Sequence, residues 1–300
     1  MNFQEFTKYV LGEITQRVNG ACKVEIQKVK KNNDVVLHGL TFFTDQTNFA
    51  PTIYLEGYYE MHRHQISMEQ IVDHIWKMYQ DSLPDTDIDM SFLCDFTKVK
   101  DRIVYRLIHA ERNKELLEET PHILIWDLAI CFYYDFWSEK LGEGMIRIQN
   151  SLMNSWDVDC QTLMGLAESN TPKLIPMTFM SMNEVLRQLD PEYELLDSMQ
   201  EDLYVLSNQQ KAFGATSILY PGVLEEVAQM LQSDFYVLPS SVHEVLILKK
   251  ERYDVMKKDG MILHDMIQSI NEQQLSAEDV LSDYPYFYDY KDGKLSQLVE

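Results

Sequence analysis

The stretch DFYVLPSSVHEVLIL, Asp234 to Leu248, sets two serines, a histidine and a glutamate between apolar runs. Ser240, Ser241, His243 and Glu244 are the residue types of acyl transfer: hydroxyl nucleophile, imidazole base, orienting carboxylate. Their spacing works against that use. In an extended chain, side chains alternate between faces. Ser241 and His243 then share one face with Val245, and Glu244 points the other way. A triad would need a remote acid, such as Asp127 or Asp135, and the Ser241 hydroxyl within about 3 Å of a His243 ring nitrogen. No G-x-S-x-G elbow lies nearby. Pro239 and the two serines are also natural turn formers. The favoured reading is a turn between two strands that shapes a binding surface, with a hydrolase or transferase built on Ser241 and His243 as the alternative.

Other constellations fail on their own chemistry. Asp85, Asp87 and Asp89 imitate the start of a calcium loop. Met90 then stands where the sharp turn needs glycine, and Phe96 where a bidentate glutamate belongs. His62 and His64 would face one way on a strand, with His74 on the next helix, but no H-E-x-x-H or Cys/His quartet supports zinc. No metal site is expected. Neither G-x-x-x-x-G-K-[ST] nor G-x-G-x-x-G after a strand is present, and LGEGM leads into a strand pattern. No cofactor is expected.

The elements that must carry these residues are legible in outline. Phe3, Phe6, Val10 and Ile14 recur at helical spacing. CKVEIQKV and NDVVLHGLTFF fit a hairpin across KKNND, with TIYLEGY (52–58) as a third strand. Ser67 and Gln70 form a capping box before the stripe Met68, Ile71, Ile75, Met78. We expect strands at 102–109 and, as one long strand, 123–136. Two stretches echo each other: Gly144 before MIRIQ and a helix, and Gly214 before a strand ATSILY and the helix PGVLEEVAQMLQ. Pro221 suits a first helical position, where its missing N–H is no loss. FYVLP and VLIL are the next strands, GMILHDMIQSI (260–270) a helix, and YPYFYDYKDGKL a hairpin. The sum is α+β, mainly antiparallel sheets with amphipathic helices packed on them. We expect one unit over 1–300, with lobes 1–83 and 98–300 joined by the acidic loop 84–97.

The totals narrow the function classes. Three hundred residues, 45% apolar and 25% charged, describe a globular chain with ample core. The formal net charge of -22 opposes nucleic acid and anionic lipid over most of the surface. An acidic decoy for nucleic-acid-binding proteins is a third reading, resting on that charge alone. Cys22, Cys94, Cys131 and Cys160 form no C-x-x-C pair and read as small core residues of a reducing compartment. MNFQEFTKYVLGEI lacks a basic region followed by a continuous apolar run, so no signal peptide is expected. The most apolar segment, Ile123 to Trp137, is too short to span a bilayer as a helix. A cytoplasmic protein without a membrane partner is expected. The acidic stretch Asp190 to Asp202 contains neither Lys nor Arg and reads as a solvated segment, with a basic protein as its conceivable partner.

ISMEQIVDHIWKMY, HGLTFF with PTIYLEGYY, the block LYVLSNQQKAFGATSILYPGVLEEVAQMLQSDFYVLPSSVHEVLIL, and INEQQLSAEDVLSDYPYFYD together resemble a bacterial family classed as a domain of unknown function, found mainly in anaerobic Gram-positive gut bacteria. The resemblance spans nearly the whole chain. It implies a cytoplasmic bacterial protein and transfers no activity and no site residue. It marks Tyr220 to Glu244 as the hallmark segment, so Tyr220, Pro221, Ser240, Ser241, His243 and Glu244 are the candidate surface, for a protein or small-molecule partner.

Overall fold

A computed structural model describes residues 1–43, 50–82, 90–138, 142–190, 202–239, 241–258 and 262–298. Ser240, the calcium-like acids Asp85, Asp87 and Asp89, Asn48, Gly260 and residues 191–201 of the acidic stretch lie outside the described residues. The chain divides into two compact units. Met1–Phe92 with Trp137–Glu143 form one, and Leu93–Phe136 with Gly144–Glu300 the other. The class is α+β with mainly antiparallel sheets.

The first unit is one helix-on-sheet core. Asn2 caps α1 (Phe3–Val18), its side chain accepting from the Glu5 N–H while the Glu5 carboxylate accepts from the Asn2 N–H. The stripe Phe6, Val10, Ile14 is fully buried in one cluster with Leu40 and Phe42 of the sheet and with Ile71 and Ile75. Each such side chain contributes roughly 1.5–3 kcal/mol. β1 (Lys23–Lys30) pairs with β2 (Val36–Phe43), and β2 with β3 (Thr52–Tyr54). The β1–β2 turn places Asn33 and Asp34 at positive φ, which short polar side chains tolerate. β3 stops at Tyr54, and α2 (Glu56–Arg63) follows, not the strand to Tyr58 that the sequence suggests. The Glu56 carboxylate accepts from the backbone N–H of His38 on β2, a tertiary tie that local pattern does not carry. His62 and His64 therefore sit at a helix end, where residues two apart do not share a face. His62 stacks on Phe6, and His74 of α3 (Met68–Asp81) meets Tyr58 edge-on. Among the described residues no group of three or more His, Cys, Asp or Glu is placed to hold a metal.

The second unit carries two sheets. After the short α4 (Phe96–Val99), β4 (Ile103–His109) pairs with β6 (Leu128–Ser138), which also pairs with β5 (His122–Ile125) and β7 (Gly142–Arg147). α5 (Lys114–Glu118) links β4 to β5. The long strand expected at 123–136 is thus a hairpin. It reverses at Trp126, which takes φ 55, and Asp127. No glycine marks this turn. Tertiary contacts hold it instead: Asp127 accepts from the Tyr286 hydroxyl, the Ser282 hydroxyl and the Gln297 amide. α6 (Asn150–Ser155) and α7 (Cys160–Leu174) follow, and α7 lies along β4.

β4 is an edge strand, and two of its outer N–H groups are satisfied by hydroxyls. The Tyr105 N–H donates to Thr171 of α7, and the Leu107 N–H to Thr216. This seals an edge that would otherwise template pairing. Thr216 belongs to a buried 3-10 turn, Gly214–Leu219, where an extended ATSILY was expected. The echo between the Gly144 and Gly214 regions therefore fails: one glycine sits in a strand, the other opens a turn. Period-two reading fails there because both faces of the segment are buried.

The second sheet has six strands, all antiparallel, in the order β13-β12-β10-β11-β9-β8. These are β8 (Met177–Ser181), β9 (Leu203–Asn208), β10 (Phe235–Leu238), β11 (Val245–Lys249), β12 (Tyr286–Asp289) and β13 (Lys294–Gln297). α8 (Met182–Leu189) follows β8, α9 (Val223–Leu231) precedes β10, and α10 (Lys250–Lys258) and α11 (Leu263–Gln273) lie between β11 and β12. Pro221 stands one residue before the helix cap, because Gly222, at φ 79, is the N-cap of α9. No helix among the described residues is long and apolar enough to cross a membrane.

Candidate functional site

Side-chain alternation along β9 and into β11 sorts their residues onto two sides. Leu206, Val245 and Ile247 are fully buried in the core. Their neighbours Val205, Ser207, Glu244 and Leu246 take the opposite face. The registers Leu246↔Val205, Met180↔Val205 and Thr178↔Ser207 assemble one surface at the β8 edge of the sheet. α8 overhangs it. Ser181 caps this helix in a capping box with Glu184, and none of its residues is buried. A cavity of about 320 Å³ results, with a body lined by Met180, Met182, Val185, Leu189, Val205 and Leu246. Glu244, Ser207, Lys211, Gln188 and Thr178 supply its polar groups.

Glu244 is half-buried and forms no hydrogen bond or ion pair among the described residues. Burial raises its carboxyl above the usual carboxylate range; neighbouring His243 opposes that shift and Asp279 adds to it. An acid facing apolar side chains without a protein donor is the unusual feature of this cleft. Lys211, on the rim, is exposed.

The backbone beside Glu244 is fixed by close packing. A Cβ on Gly214 would lie 2.2 Å from Ser207 Oγ, 2.5 Å from the His243 carbonyl oxygen and 2.7 Å from the Asn208 nitrogen. Only glycine lets the 3-10 turn approach so near. The Ser207 hydroxyl donates to the His243 carbonyl at 2.7 Å, and the Ala215 N–H donates to the Val242 carbonyl.

His243 faces away from the cleft. Its Nδ1 accepts from the Phe213 N–H at 3.4 Å, and Nε2 lies 3.0 Å from Asp279 Oδ1. With Nδ1 accepting, the ring proton sits on Nε2 and donates to Asp279. Both nitrogens are thereby committed. The buried Ser241 hydroxyl instead accepts from the His243 backbone N–H at 3.0 Å. Ser241 also bridges to Val280. The carboxylate on His243 is neither of the remote acids expected: Asp127 serves the Trp126 turn, and Asp135 pairs with Arg102. Among the described residues no serine hydroxyl meets a ring nitrogen of His243, and the Ser241 hydroxyl serves to hold the loop.

Tyr220 is core, its hydroxyl donating to the Ile175 carbonyl and its ring against Tyr105. Pro221 is exposed in the turn before α9. Neither lines the cleft. Of the sequence candidates, Ser241, His243 and Glu244 are brought together, and Glu244 alone opens into the cavity. The other half of the cleft, β8 and α8, escaped sequence reading. The signal was there in S-M-N-E, a capping box ahead of the amphipathic VLRQL.

These features define an α+β protein with a cleft between α8 and the β8 edge of its six-stranded sheet. The chain belongs to the family of unknown function DUF5688, which matches residues 3–290. No curated protein and no solved structure matches it.

Proposed function

We propose that this is a non-catalytic binding protein of the bacterial cytoplasm whose cleft takes a small amphipathic molecule with an amine head. The supporting observation is Glu244, an acid without a hydrogen-bond or ion-pair partner among the described residues, at the polar end of a mainly apolar cavity. A volume of about 320 Å³ sits at the small end of ligand pockets. Met180 and Met182 give it adaptable walls. An ammonium would supply Glu244 with the charged donor it lacks, and the ligand's apolar part would cover Val185, Leu189 and Leu246. Four free cysteines support a reducing compartment. Nucleic acid stays outside this reading because of the charge.

Calorimetric titration with alkylamines and the matching alcohols tests it. Burial in the empty cleft opposes ionisation of Glu244, and the ammonium binds the ionised form. Amine affinity should therefore strengthen as pH rises above about 4.3, and alcohol affinity should not. Glu244→Gln should remove the pH dependence and weaken the amine by about tenfold or more. Equal binding of amine and alcohol, unchanged in Glu244→Gln, would sink the proposal.

A further inference from the structure

A second cavity, of about 490 Å³, lies away from the cleft, at the end of β7 and the start of α6. Ile146, Arg147, Gln149, Ser151, Leu152 and Ser155 line it. Its polar groups are a guanidinium, an amide and two hydroxyls, and no carboxylate is among them. That is an odd composition for a chain of net charge -22.

Arg147 is the telling residue. Among the described residues its guanidinium forms no hydrogen bond or ion pair, and its Nε is closed off from solvent. A buried donor of this kind is costly to leave unpaired, and a charged one more so. Arg102 and Arg112 of the same unit each hold an aspartate, Asp135 and Asp283. Gln149 stands at the N-cap position of α6 without capping it, so its amide stays available to the cavity. A second guanidinium strengthens the local field. Arg106 of β4 is held between aromatic faces, 3.9 Å from the Phe213 centroid and 5.0 Å from that of Tyr133. The positive charges of Arg106 and Arg147 both reach Tyr133 on β6.

We propose that Arg147, with Gln149 and Ser151, forms a binding site for a phosphate group. The two terminal nitrogens of the guanidinium, and not the enclosed Nε, offer a fork of N–H donors to two oxygens of the anion, and the amide and hydroxyl reach the others. A tetrahedral oxyanion can take donors from several directions at once, which a planar carboxylate does less well.

The probe is inorganic phosphate, titrated calorimetrically into the full chain at constant ionic strength, with acetate in parallel. Saturable binding of one phosphate per chain is expected. Arg147→Met should weaken it by about tenfold or more, and Ser151→Ala by a few-fold. Arg187→Gln, on α8, should leave it unchanged and controls for general charge. Should Arg147→Met lose its native circular dichroism, Arg147→Lys decides, since a lysine keeps the charge but not the fork; about fivefold weakening is expected. Absence of saturation, acetate binding as tightly as phosphate, or undiminished affinity in the folded Arg147 variant would each overturn the assignment.

Discussion

Replacing Gly214 by alanine should unfold the wall of the cleft before it touches any ligand. The added methyl would sit 2.2 Å from Ser207 Oγ, 2.5 Å from the His243 carbonyl oxygen and 2.7 Å from the Asn208 nitrogen. Two of the three are backbone atoms in or beside paired strands, so rotation of a side chain cannot relieve the overlap. Overpacking of this kind costs about 1–3 kcal/mol. Pushing Ser207 aside also forfeits its hydrogen bond to the His243 carbonyl, about 1 kcal/mol more. We expect about 3 kcal/mol of destabilisation in all, a fall of roughly 6–12 °C in midpoint for a unit of this size. Urea unfolding gives the free energy, and hydrogen exchange of β9 and β11 peptides locates the loss. Ser207→Ala with Gly214→Ala should recover only part of it, because the carbonyl and amide contacts persist. A change under about 0.5 kcal/mol, within the range of neutral surface substitutions, would refute the close-approach argument.

Two carboxylates should give opposite acid responses. The His109 imidazole at 3.7 Å, the Arg112 guanidinium and the Asn271 amide hold the Asp283 carboxyl well below its ordinary range. Its folded form binds fewer protons than the unfolded chain, so its contribution is present above about pH 4 and fades as pH falls below. Asp283→Asn should flatten that part of the stability profile in urea melts from about pH 2 to pH 6, and an unchanged profile would refute the assignment. Glu244 works the other way. Its raised value means the folded state holds a proton longer, so stability declines as pH climbs from about 4.3 towards the folded value. Glu244→Gln should abolish this decline and leave the ligand-free protein at least as stable near neutral pH. A Gln variant that keeps the decline would place its source elsewhere.

Sequence legibility followed locality. The stripe Phe3, Phe6, Val10, Ile14 announces α1, and the capping box Ser67–Gln70 with the stripe behind it announces α3, because caps and stripes involve residues three or four apart. The β1–β2 hairpin was equally plain, since Asn33 and Asp34 carry their own turn chemistry. What failed depended on distant partners. Residues 55–58 look extended until Glu56 meets His38. Trp126 and Asp127 look like mid-strand until Tyr286 and Gln297 pin them. ATSILY looks like a strand because its hydroxyls point inward, Thr216 to an edge of β4 that only the tertiary fold supplies. At the site, the sequence placed Ser241, His243 and Glu244 together in a turn region. It could not show that His243 would find Asp279, 36 residues away, or that α8 would roof the face bearing Glu244.

The strand order of the six-stranded sheet also constrains biosynthesis. β10 lies between β11 and β12, with Phe235 and Val237 fully enclosed. Until Tyr286–Asp289 has been translated and docked, β10 has an open flank of apolar residues and unpaired amides. A chain stalled or clipped between residues 249 and 286 would therefore carry a sticky template, prone to recruit another copy or call for a chaperone. The β12–β13 hairpin thus acts as a closing seam: its docking covers the open flank of β10.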